Sequence, residues 1–88
     1  MANHKSAIKR MRQNTVRRAH NRHYRSTMRT EIKKLRTAIE AGDAAAAQAL
    51  LPSTVGIIQR VAQKGIIHRK QAARRVSRLA NAVNALNS

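Results

Sequence analysis

Arg18, Arg22, Arg25, Arg29, Lys33 and Arg36 follow one another at intervals of 4, 3, 4, 4 and 3 residues. On a helix turning about 100° per residue, this spacing stacks the six cations into one stripe. Such a row can track a phosphate backbone while another face of the same helix is buried. A charge run ordinarily means a solvated surface face, but such faces mix both signs or carry i,i+4 partners. Here the first 30 residues hold nine bases and no acid. The stripe therefore points to an external polyanion, and nucleic acid is the densest common one.

Two further sets of bases extend the pattern. Lys5, Lys9, Arg10, Arg12 and Arg17 precede the stripe and spread around every side of a helix. A helix charged all round, with little to bury, is not stable alone in water. This segment, about residues 1–20, is expected to fray in the free protein and to order on its partner. Lys70, Arg74 and Arg78 recur near the other end, with Arg75 at their flank. They fall roughly opposite the apolar positions of that stretch. Bases behind a core face suggest a second nucleic-acid segment, so that the protein clamps two.

The remaining chemistry is sparse. Phe and Trp are absent and Tyr24 is the single aromatic, too few for a base-stacking platform. Arg outnumbers Lys, which favours forked contacts to phosphate. Affinity should rest on phosphates and specificity on the shape of a folded partner. His20 and His23 share a helix face, but neither they nor His4 and His68 have the further ligands a metal needs, and there is no cysteine. The histidines read as hydrogen-bonding or RNA-contacting groups. Glu31, Glu40 and Asp43 are the only acids. With no carboxylate pair and no glycine-rich phosphate loop, neither catalysis nor a cofactor is expected.

The elements that must position these bases are helices. The 88 residues suit one domain, and a chain of this size buries too little surface for a deep pocket. No Gly or Pro interrupts residues 6–41, and Ser6 or Asn3 could cap the start. Gly42 suits a helix end and Asp43 the next cap, while Lys64-Gly65 repeats the stop signal. Three helices follow, at about 6–41, 44–64 and 67–86. Met28, Ile32, Leu35 and Ile39 recur at helical spacing on the first. Ala47, Leu51, Val55, Ile58 and Val61 do so on the second, in phase across Pro52, where a kink is expected. Ala72, Val76, Leu79, Val83 and Leu86 form the third stripe. The fold class is all-α: a three-helix bundle whose first helix, roughly 50 Å long, projects beyond it.

Other classes fit less well. No stretch reaches the roughly 20 apolar residues of a membrane span. A membrane-surface helix would need an apolar face that residues 9–27 lack. The N-terminus shares the basic, acid-free character of organellar transit peptides, but that composition runs unbroken into the first helix. A DNA-compacting protein is equally basic, yet usually dimerises or carries apolar wedges, and no exposed wedge stands out.

The order of short motifs adds a resemblance. Met1-Ala2-Asn3, Lys5-Ser6-Ala7 and Lys9-Arg10 open the chain, followed by Arg25-Ser26, Met28-Arg29-Thr30 and Ile32-Lys33-Lys34. Ala38-Ile39, Gly42-Asp43, Lys64-Gly65, Ile67-His68, Ala72-Ala73-Arg74 and Ser77-Arg78-Leu79 complete the set. Over nearly the whole chain this series resembles ribosomal protein S-twenty, the twentieth protein of the bacterial small subunit. The resemblance implies a monomer within the ribosome, in the cytoplasm or a plastid stroma. It implies direct binding of 16S ribosomal RNA at the bottom of the subunit body, helping RNA folding and assembly, with few or no protein contacts. The contacts it implies run through the bases named above, together with Lys34, Lys64, His68 and Arg69. Two departures stand out: Lys70, where the family usually has an asparagine soon after Ile67-His68, and the weak helix middle made by Pro52 and Gly56.

Overall fold

The computed structural model describes the backbone of residues 2–87 and the side chains of residues 6–87. Three helices account for nearly all of it: α1 (Ala2–Glu40), α2 (Ala44–Gln63) and α3 (Arg69–Asn87). The helix count and order match the sequence pattern. The start of α1 does not, because Asn3 and Ser6 lie inside the helix instead of capping it. The third helix also begins later than its apolar pattern suggested, leaving Ile67 and His68 in the connection.

Both connections close in the same way. Gly42 takes φ 72° and Gly65 φ 76°, left-handed values that carry a steric penalty for residues with a Cβ. At the end of α1, Gly42 N–H donates to Ile39 O and Asp43 N–H to Ala38 O, both at 3.0 Å. At the end of α2, Gly65 N–H donates to Ala62 O at 2.9 Å and Ile66 N–H to Val61 O at 3.1 Å. Each is a Schellman closure that satisfies carbonyls the helix end would leave open. Asp43 then caps α2, its side chain accepting from Ala46 N–H at 3.1 Å.

The core is a single cluster. Met28, Ile32, Leu35 and Ala38 of α1 meet Ala47, Ile58 and Val61 of α2 and Ala72, Leu79 and Val83 of α3. The helix α2 packs against both of the others, whereas α1 and α3 scarcely touch. The inward register differs from the expected stripe at two points. Thr54, not Val55, is fully buried on α2, and Ala38 is buried on α1 while Ile39 is only half-buried. From Ala47 and Leu51, a 3.6-residue period leads to Thr54 and then Ile58. The hydroxyl of Thr54 is accommodated because it donates to Leu50 O at 3.0 Å. Pro52 stands inside α2 without ending it. Both Pro52 and Gln48, whose carbonyl loses its usual donor, are exposed, so that carbonyl stands on the solvent side.

The bundle starts only at Tyr24. Every described side chain from Ser6 to His20 is exposed. The molecule measures 67 × 21 × 15 Å, and its radius of gyration is 17.7 Å. A compact chain of this length would have about 12 Å. The first helix thus projects, as its length implied.

Leu35 is 0% exposed at the centre of the cluster. Leu35→Ala should lower unfolding free energy by about 2–5 kcal/mol, read from urea denaturation followed by helical circular dichroism.

Candidate nucleic-acid interface

The basic stripe is built by the geometry of α1. Its cations sit about a quarter turn from the face that buries Met28, Ile32 and Leu35, so anchoring that face aims the stripe outward. Arg18, Arg22, Arg25 and Arg29 line one shallow surface groove with Asn21, Ser26 and Thr30 between them. Neighbouring hydroxyls are already engaged: Thr30 donates to Ser26 O and Thr27 to His23 O. The guanidinium groups, with the Asn21 amide and the Ser26 hydroxyl between them, are the donors left to face a ligand.

Among the described residues none of the arginines has an ion-pair partner, and one ion pair, Lys34 with Glu31 at 3.5 Å, is present. Lys9, Arg10, Arg12 and Arg17 are exposed on the projecting half of α1, and Lys33, Lys34 and Arg36 are exposed beside the bundle. On α3 and its approach, Arg69, Lys70, Arg74 and Arg78 are exposed and Arg75 is half-buried. The side chain of Lys5 lies outside the described residues.

The two sets of bases converge. Arg74, Arg75 and Arg78 do not stand back to back with the α1 stripe, as the helical wheel of α3 suggested. They line one groove with Arg36, the last cation of that stripe. The reason is the loose approach of α3 to α1, which leaves a gap that long guanidinium side chains reach around. A basic track thus runs from Arg18 along α1 and turns into the α1–α3 groove.

The long, base-bearing first helix, the Gly-closed turns and the bundle coincide with a known family. The model of Ribosomal protein S20 matches residues 2–84. The chain belongs to the ribosomal protein S20 family. Three curated relatives named "Small ribosomal subunit protein bS20" illustrate the likeness. The protein of Trichlorobacter lovleyi is 51% identical over 86 residues, covering 98% of this chain and 99% of its own. That of Thiobacillus denitrificans is 54% identical over 86 residues, again 98% and 99%. That of Solidesulfovibrio magneticus is 51% identical over 88 residues, 100% and 99%. The S20 family is a ribosomal, non-enzymatic one.

For this S20 chain, three of the expected RNA-facing residues also have partners within the protein. Lys34 pairs with Glu31. The ammonium of Lys64 lies 4.7 Å from the centre of the Tyr24 ring, which also meets His23 edge-on at 5.6 Å between centroids. The Nδ1 atom of His68 accepts from Lys70 N–H at 3.1 Å, and its carbonyl accepts from Ala72 N–H. His68 therefore caps α3, which leaves its Nε2 carrying the proton and pointing a donor away from the cap. In sequence His68 reads as one more base and gives no sign of the cap, because histidine is an uncommon residue there.

Other features are not visible in the sequence. Arg60, which stands apart from the basic runs of the sequence, is exposed in the last turn of α2. Ile8, Met11 and Val16 are exposed at 44%, 68% and 55%, which corrects the expectation that no wedge-like apolar group stands out. They stand on the projecting part of α1, where the bundle begins too late to cover them. Among the described residues no helix is long and apolar enough to cross a membrane, and no cluster of metal-ligating side chains occurs.

His68→Ala should lower unfolding free energy by about 1 kcal/mol through loss of the cap, and His68→Asn should restore most of it. Denaturation of both variants without RNA separates this role from any contact made by Nε2.

Proposed function

We propose that the protein is a structural constituent of the small ribosomal subunit that binds 16S ribosomal RNA directly and helps it fold and assemble. The observation that carries this reading is the exposed arginine track from Arg18 to Arg36, in which no arginine has an ion-pair partner among the described residues, continued by the arginines of α3. Membership of the S20 family, and the small-subunit names of its relatives, supply the ribosomal setting.

In this reading the bundle formed by α2, α3 and the C-terminal half of α1 is a single domain that acts as a handle. It holds the stripe from Arg25 to Arg36 in register so that these guanidinium forks meet successive phosphates without first having to be ordered. The projecting half of α1 enters between RNA segments. Its bases on all sides, Lys5, Lys9, Arg10, Arg12 and Arg17, neutralise phosphates around it, and its helix becomes stable there. Lys33, Lys34, Lys64, His68, Arg69 and Lys70 flank the same RNA. The complex needs one copy of the chain and few or no protein neighbours.

A second reading, compaction of duplex DNA, draws on the exposed Ile8, Met11 and Val16, since apolar side chains wedge between base steps in architectural proteins. It predicts dimerisation and equal affinity for duplex DNA, and a helix with bases on all its sides requires neither.

Changing Arg22, Arg25 and Arg29 together to Ala should reduce the slope of log K against log salt by roughly two to three, at about 0.7–0.9 for each phosphate that is no longer neutralised. Titration of 16S ribosomal RNA at several salt concentrations measures it, and an unchanged slope would place these residues in solvent. Amide hydrogen exchange supplies the second check. Residues 6–20 should exchange without protection in the free protein and become protected on RNA, whereas full protection in the free protein would contradict coupled ordering.

A further inference from the structure

The groove between α1 and α3 contains more than phosphate binding requires. Its volume is about 470 Å³, within the range of about 300–1,000 Å³ typical of small-molecule pockets. Its rim is cationic, with Arg36 from one helix and Arg74, Arg75 and Arg78 from the other. Its floor is apolar, built from Ile39 and the nearly buried Leu79. Glu40 and Gln71 add a carboxylate and an amide.

Two observations distinguish it from the α1 stripe. Glu40 lies among four arginines yet, among the described residues, forms no ion pair with any of them. In a site for phosphate alone, a carboxylate would repel the ligand and an apolar floor would serve nothing. The Nε of Arg75 is buried with no hydrogen-bond partner, so this guanidinium is held in the wall of the groove with a donor unsatisfied.

We infer that the groove receives a single unpaired nucleotide of the bound RNA. The inference rests on the RNA-binding reading above and names what part of the RNA this site takes. The rim arginines hold the phosphates on either side of the nucleotide, and a guanidinium plane can stack on the base. The apolar floor supports the other side of the base or its ribose. The Glu40 carboxylate accepts from the base edge, and the Gln71 amide both donates and accepts. Guanine, which aligns an imino and an amino donor, suits a carboxylate best. The site thus adds a base-reading contact to a protein whose other contacts are electrostatic.

The sign of one substitution tests this. Glu40→Gln removes a negative charge from a strongly cationic surface. Electrostatics alone predict tighter RNA binding. The inference predicts weaker binding by about fivefold or more at fixed salt, the lower end of what a bidentate base contact supplies. Glu40 is exposed, so circular dichroism should show unchanged helix content in the variant. The companion measurement probes base edges of 16S ribosomal RNA with Watson–Crick-edge reagents, using the full chain. Wild type should protect an unpaired base that becomes reactive again with Glu40→Gln and with Gln71→Ala, while the backbone footprint persists. Equal or tighter binding of Glu40→Gln, or backbone protection without any protected unpaired base, would overturn the inference and leave the RNA-binding reading standing. Absence of any protection by wild type would instead overturn that reading.

Discussion

Like-charge repulsion is the constraint from which the rest of this structure follows. Nineteen Lys and Arg residues face three acids, for a formal net charge of +16. One of those acids caps a helix and another is paired, so almost no neutralisation is available inside the chain. Along the α1 stripe alone, the successive like-charge neighbours oppose the helix by about 1–2.5 kcal/mol in total. A fold of this size has a stability of only a few kcal/mol in hand. The chain responds by keeping its cations at the surface and giving the helix a core only where α2 and α3 cover it.

That division explains why the molecule has two unlike halves. From Tyr24 onward, α1 has a partner, and a narrow core of Leu, Ile, Val, Met and Ala fixes its rotation. That rotation decides where the arginines point. The two left-handed glycines, Gly42 and Gly65, turn the chain back sharply enough for α2 to pack on both neighbours. The cost is a weak α1–α3 seam, and the groove carrying Arg36, Arg74, Arg75 and Arg78 lies there. Before Tyr24 none of the described side chains joins the core, and those from Ser6 to His20 are all exposed. Packing and recognition are therefore linked through a single long helix.

Most of this architecture is legible in the sequence because local rules and burial agree. Gly42, Asp43 and Gly65 announce their roles by residue type, and the apolar period places Leu35, Ile58 and Val83 in the core. Two of the misreadings share a cause: polar atoms that the fold satisfies locally. Val55 looks the better core residue than Thr54 because a hydroxyl seems out of place, yet that hydroxyl bonds to the turn before it. His68 reads as a simple base because its ring gives no sign in sequence that it closes a helix start. Lys64 cannot be matched to Tyr24, forty residues earlier, without knowing that α2 ends beside that ring. The α1–α3 groove is invisible for a different reason. Helical wheels describe each helix alone, and this site exists only because two helices fail to close on each other.

An arginine track held in register by a packed bundle should recognise one folded RNA and not behave as a general polycation. A backbone-cleavage footprint on intact 16S ribosomal RNA, with excess duplex DNA as competitor, tests this most directly. Discrete protected segments that survive the competitor are the predicted result, because a rigidly held stripe fits a particular arrangement of phosphates. Diffuse protection that the DNA abolishes would contradict it and make the protein a charge-driven binder of any nucleic acid.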